Sequence, residues 1–289
     1  MFKAIDYICF MQICWNCNIG LPDGAKFCFN CGAKQDQQLA IEDTFFKLPP
    51  DIEQQLTEDF FTALQQQLAE EQDVQLFEAY REKVYDSGFR DILKRKIQQL
   101  IEQLKELEEN NSLSEDVIIG LRERVFFDLL DYFIIHFCKD LNVVALPEAI
   151  LKYQDINWSD INLFALVMDY LDFDSEKEVV YTDFLKMPVE KVKNAGKFFL
   201  FPEIEERILF ICDQSAFGSC KEGFAMTDKA LYWKAYLEKA KVVHYDNIRI
   251  LEKAKNWITI NGFFFNVNQG INVKLLKLLR KIDQLGIRK

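Results

Sequence analysis

Four cysteines near the start of the sequence are the residues best suited to do chemistry. They read Cys14-Trp-Asn-Cys17, ten intervening residues, then Cys28-Phe-Asn-Cys31. A two-residue gap lets each pair of thiolates wrap one side of a tetrahedral ion, and four thiolates leave no position open to water. The expected cofactor is therefore one structural zinc held by Cys14, Cys17, Cys28 and Cys31. Gly32 follows the second pair and accepts the positive φ of a knuckle turn, Asn18 stands at the equivalent place after the first, and Leu21-Pro22-Asp23-Gly24 supplies the turn between them. A redox dithiol comes once, beside a βαβ pattern, and no such pattern occurs here. The other four cysteines, Cys9, Cys138, Cys212 and Cys220, sit singly in apolar surroundings, which is the usage of a reducing compartment rather than of a disulfide framework.

Nothing else in the sequence assembles a catalytic constellation, and the expectation is a non-enzyme. There is no G-x-S-x-G, no Walker-type Gly-Lys-Ser/Thr, no G-x-G-x-x-G and no H-E-x-x-H. His136 lies within an apolar helical pattern and His244 on a strand pattern, so the single thiols have no histidine to activate them. The carboxylates are spread among Lys and Gln, as on solvated helix faces.

The elements that must carry these residues fall into four blocks. Residues 12–35 form the ribbon, and residues 36–50 read as a linker closed by Pro49-Pro50, with Phe45 and Phe46 as anchors. Residues 51–188 read as an all-helical domain. Phe60, Leu64 and Leu68 recur every four residues, and after a break at Ser87-Gly88 come Leu93, Ile97, Leu100, Leu104 and Leu107. That second stripe suits one face of a bundle or a homodimer seam over 89–107. Ser112 and Glu115 have the form of a capping box before a helix that is apolar nearly all round, Val117 to Phe137. Shorter amphipathic stretches follow at Pro147–Tyr153, Asp160–Leu171 and Ser175–Lys186.

The texture changes at Phe198, and residues 189–289 form the last block. Short β-rich runs begin at Arg207, Gly223, Ala230, Lys241 and Asn256. Asn261-Gly262 joins the last of these to Phe263–Val267, because a type I′ turn needs positive φ at both positions. Helical spacing returns with Ile271, Leu275, Leu278, Leu279 and Ile282. A fragment starting near Pro188 is expected to fold alone.

The formal charge of −11 hides a division. From Val189 onward 18 Lys/Arg face 11 Asp/Glu, a net of +7, and the rest of the sequence carries −18. This invites docking of the basic block on an acidic surface, either a partner's or the chain's own helices. The first ten residues lack the run and cleavage site of a secretory signal, and Val125–Cys138, the richest apolar run, is interrupted by Asp128, Asp131 and His136. The expected location is cytoplasmic.

Two resemblances add to this reading. Residues 12–35 look like the short zinc ribbons at the N-termini of many bacterial multidomain proteins. The segment from Asp213 to Lys234 resembles a family of bacterial pleckstrin-homology-like (PH-like) domains, through Asp213, Phe217, Gly218, Ser219, Lys221, Glu222, Gly223, Phe224, Ala225, Thr227, Asp228, Tyr232, Trp233 and Lys234. Ala230 departs from the glycine usual in that pattern. The resemblance implies a bent antiparallel barrel capped by a C-terminal helix, so the expected fold is multidomain α+β. Such domains bind phosphoinositides in some families and peptides or proteins in others. The function expected is an adaptor that binds protein partners through the PH-like block and the ribbon. The partner-facing residues would be Phe217, Lys221 and Glu222 on a loop and Lys274, Lys277, Arg280 and Lys281 on the last helix. The alternative is a nucleic-acid or anionic-membrane binder that uses the basic block.

Overall fold

Leu56, Phe60, Leu64 and Leu68 line one side of helix α1 (Ile52–Glu71) and are buried, as their spacing of four requires. In the computed structural model, which describes residues 12–14, 16, 19–21, 25–35, 46–154, 156 and 160–286, α1 packs with α2 (Phe77–Asp86), α3 (Phe89–Glu109) and α4 (Glu115–Phe137). The break between α2 and α3 falls at Gly88, whose φ of 81° is cheap only for glycine. Aromatic rings fill the centre: Phe60 meets Phe126 edge-on at 5.7 Å and Phe89 meets Phe133 at 4.5 Å. Leu93, Ile97, Leu100 and Leu104 are buried in this same interior, so the proposed dimer seam over 89–107 is used within the chain. Of the linker, residues 36–45 lie outside the described residues. Leu48 beyond them packs on the core, and its N–H donates to Glu108 Oε1 at 3.0 Å.

Two helix boundaries differ from the sequence reading, each for a local reason. The cap of α4 is Ser114, whose Oγ accepts from the Val117 N–H at 3.3 Å, and not Ser112. Ser112 instead closes α3: Asn111 takes φ 53° and the Ser112 N–H reaches back to Leu107 O at 2.8 Å, a Schellman ending. After a 3-10 helix at Glu148–Tyr153 and helix α5 (Leu163–Leu171), Asp172 turns left-handed at φ 44° and stops the helical path. Ser175–Lys186 is accordingly not a helix. Val179–Tyr181 is strand β3, in keeping with its Val-Val-Tyr sequence, so residues 51–188 are not all helical.

Strand β3 is the edge of a five-stranded antiparallel sheet with β4 (Ile208–Asp213), β5 (Gly223–Thr227), β6 (Ala230–Lys234) and β7 (Lys241–His244), in sequence order. Its two faces are both covered. Phe210, Cys212, Phe224 and Trp233 point into the large core, while Ile211, Ala225 and Tyr232 pack under helix α6 (Val189–Phe198). Burial on both faces explains why β4 and β5 read as continuous apolar runs. Gly223 is obligatory at the sheet's end, since a Cβ there would lie 2.0 Å from Cys212 O. A second antiparallel sheet comprises β8 (Leu251–Lys253), β9 (Ile258–Ile260) and β10 (Phe263–Phe265). Asn261 and Gly262 turn its hairpin at φ 50° and 79°, as the type I′ expectation requires. Among the described residues no ladder joins the two sheets, so the barrel is not closed. The fold is mixed α+β with two main antiparallel sheets.

Helix α7 (Gln269–Gln284), capped by Asn268 Oδ1 on the Ile271 N–H at 2.8 Å, is buried nearly all round. It packs on α5, and its leucines join one hydrophobic cluster that runs from Leu56 through both sheets to Ile282. No described helix is long and apolar enough to cross a membrane. Because β3 precedes residue 188 and α7 is shared with the helices, a fragment starting at 188 loses an edge strand and uncovers a buried face. Contrary to the expectation from composition, such a fragment should aggregate while residues 46–286 remain soluble; sedimentation of the two purified chains tests this.

Candidate metal centre

The ribbon is built from very short pairings. Strand β1 (Gln12–Ile13) pairs with β2 (Gly20–Leu21), and Phe27 bridges Lys34. Within each knuckle the backbone turns back on a cysteine: the Cys14 N–H donates to Ile19 O at 2.9 Å and the Gly32 N–H to Cys28 O at 2.9 Å, with Gly32 at φ 73°. These turns bring the sulfurs of Cys14, Cys28 and Cys31 within 4.8 Å of one another, and Cys14 and Cys31 Sγ lie 3.6 Å apart. Four thiolates at about 2.3 Å from a tetrahedral zinc would be about 3.8 Å apart. The donor set and spacing therefore fit the ion. The fourth expected ligand, Cys17, lies outside the described residues.

Two donors that the spacing of the cysteines does not reveal complete the surroundings. The Asn30 N–H points at Cys28 Sγ at 3.4 Å, and Gln35 Nε2 lies 3.4 Å from Cys14 Sγ and 2.8 Å from Ala33 O. Such donors disperse thiolate charge and orient the sulfurs. Desolvation pushes the Cys28 thiol up to about 11, a shift that a bound dication would offset. Residues 13–35 match the zinc-ribbon domain family.

This segment is a zinc ribbon.

Its ion is structural, because a closed thiolate site polarises neither water nor substrate. The match covers 23 of the 289 residues. No curated protein and no solved structure matches the chain. The other described thiols are held protonated: burial raises Cys138 and Cys220 to about 12, and Cys212 higher still.

The lysines of α7 are not where a partner could reach them. Lys277 is 0 % exposed. Its ammonium donates to Glu71 Oε1 and Oε2 at 3.0 and 2.9 Å and to Asp131 Oδ1, and lies 5.0 Å from the centre of the Phe127 ring. Arg280 pairs with Glu70 at 2.5 Å, Lys281 with Asp128 at 3.4 Å, and Lys274 with Glu176 at 2.8 Å. The basic helix thus docks on the chain's own acidic helices. The expectation that Lys274, Lys277, Arg280 and Lys281 face a partner is corrected accordingly: Lys274, Lys277 and Lys281 are buried, and all four are ion-paired within the chain.

The loop residues are arranged differently. Asp213 Oδ1 accepts from the Ser215 N–H at 3.0 Å and the Cys220 N–H at 3.1 Å, Ser215 Oγ accepts from the Ser219 N–H at 2.6 Å, and Asn194 Nδ2 of α6 donates to Ser219 O at 2.8 Å. Braced in this way, the loop after β4 holds Phe217 98 % exposed. Lys221 is exposed with its ammonium 5.6 Å from the centre of the Phe198 ring, whereas Glu222 is half-buried and paired with Lys234 at 3.5 Å. Asp213, Gly223 and Lys234 stand in one row across the sheet, so the loop after β6 leaves at the same end. It carries Tyr236 and Leu237, 76 % and 85 % exposed, which the sequence reading missed because they lie outside the motif.

Purified protein should contain about one zinc per chain, and Cys28→Ser should release it while the helical core melts unchanged, as read by metal analysis and calorimetry. Lys277→Ala leaves Glu71 and Asp131 without their cation and should cost about 3–5 kcal/mol in urea denaturation. Lys221→Ala, at an exposed position, should stay within about 0.5 kcal/mol of the parent.

Proposed function

We propose that the protein is a non-catalytic interaction protein, with its C-terminal sheets in a PH-like arrangement and its main docking surface at the end of the sheet where Phe217, Tyr236 and Leu237 protrude. The observation that carries this is Phe217 itself, a large apolar side chain held in solvent by a loop braced through hydrogen bonds of Asp213, Ser215 and Asn194. A rigid, exposed anchor loses little entropy on binding, which is how a few side chains come to dominate an interface. The order of strands supports the PH-like reading: after the edge strand β3 and helix α6, β4 to β7 complete one antiparallel sheet of five strands, three strands form the next, and a helix follows.

The exposed cations near these tips, Lys221 and Lys239, favour a partner segment that pairs an aromatic or aliphatic residue with Asp or Glu. The ribbon would add a second contact, since Phe27 and Phe29 stand in solvent on either side of Cys28. Cytoplasmic location and non-catalytic character belong to this proposal. With the α7 cations engaged inside the chain, polyanion binding has fewer free charges to draw on.

A random peptide library displayed against the whole protein tests the proposal. Selected peptides should combine an apolar residue with acidic neighbours, and Phe217→Ala or Leu237→Ala should weaken binding by about tenfold or more without changing stability. Selection of no peptide, together with retention on anionic vesicles or single-stranded DNA that needs Phe217, would replace a protein partner by a lipid or nucleic acid.

A further inference from the structure

One ammonium serves two carboxylates in the middle of this molecule. Glu71 of α1 and Asp131 of α4 are 1 % and 2 % exposed, and each binds the same Lys277 Nζ. Each also accepts from the same amide: Gln67 Nε2 lies 2.9 Å from Glu71 Oε2 and 2.9 Å from Asp131 Oδ1. Two acceptors that share both of their donors are neighbours, and like charges this close and this dry do not ionise together without full compensation.

Among the described residues, the other nearby cations are engaged elsewhere or set back. From α7, Arg280 approaches Glu71 Oε1 only to 3.9 Å and is engaged with Glu70, and Lys281 is engaged with Asp128. From α5 comes Tyr170, whose hydroxyl is held neutral by burial and by the nearby carboxylates. From β8 comes Lys253, whose charge burial disfavours and Glu71 favours, and which among the described residues forms no ion pair with either carboxylate. Among the described residues, Glu71 and Asp131 share Lys277 as their one fully buried cation, and Arg280, at 3.9 Å from Glu71, is itself shared with Glu70.

We propose that Glu71 and Asp131 retain one proton between them at neutral pH, and that the seam between α7 and the helices is thereby a pH-responsive joint that tightens as the medium acidifies. The proton belongs to the pair, since the two sites are coupled. Burial, and next the charge of Asp131, raise Glu71 above the ordinary carboxylate range, against the pull of Lys277, while Lys277 stays charged. A carboxyl raised in the folded state adds stability that is complete below its unfolded value and is lost as pH rises through its folded one. Alkaline conditions therefore place a second negative charge at the seam and loosen the grip of α7.

Infrared spectroscopy of the whole protein in heavy water at about pH 7 reads this directly. The wild type should show the carbonyl band of a protonated carboxyl, and Glu71→Gln and Asp131→Asn should each remove it. In urea denaturation the wild-type midpoint should fall as pH rises from the unfolded carboxyl value of about 4.3 through neutrality, and Glu71→Gln should flatten that slope. Absence of the band in folded wild type, or a slope that Glu71→Gln leaves unchanged, would overturn the proposal. Should either variant fail to fold, the wild-type band alone decides, because it must disappear with rising pH before the chain unfolds.

Discussion

The ammonium of Lys277 holds the molecule together at its least forgiving point. Removing an ammonium and two carboxylates from water is expensive, and the exchange balances only if every donor and acceptor finds a partner. Here Gln67 and the Phe127 ring complete the cage, and the leucines of α7 seal it. The position of α7 follows from this, and through α7 so does the meeting of helices and sheets in one core. A hydrophobic seam without the ions would be non-directional; Lys277 fixes the rotation and axial position of α7 against α1 and α4.

Much of this was legible in the sequence, and the failures have physical causes. Helices with one apolar stripe, such as α1 and α3, were visible because water on their other face enforces the period. The Asn261-Gly262 hairpin was visible because positive φ restricts the choice of residue. The zinc cysteines were visible because tetrahedral coordination dictates their spacing. The strand at Val179–Tyr181 was too short to outweigh the polar residues around it, and α6 was lost among lysines. The deepest error concerned α7. Its lysines read as a partner-facing surface, since an ion pair between residues 206 positions apart leaves no periodic trace along the chain. The split between +7 and −18 was the one hint, and it spoke of charge without saying where the charges meet.

One end of the five-stranded sheet and its two faces show contrasting uses of the same strands. At the end near Gly223 the chain rises into braced loops with apolar tips, while the faces between are filled by α6 on one side and the shared core on the other. The exposed apolar side chains of the sheet itself, Val179 and Val242, lie on its two edge strands, where unwanted pairing would begin. The edge strand β3 is only three residues long, which limits that hazard.

The distance in sequence between Glu71 and Lys277 also bears on how the chain becomes folded. Closing a loop of that length costs about 5 kcal/mol of chain entropy before any contact repays it. As the polypeptide is made, α1 and α4 emerge with their carboxylates in water and must wait for about 140 further residues before α7 arrives. Until then the half-built core presents an apolar trough ringed by acids, which repels other copies of itself. The acids that later bind Lys277 would thus first act as a guard against aggregation on the ribosome.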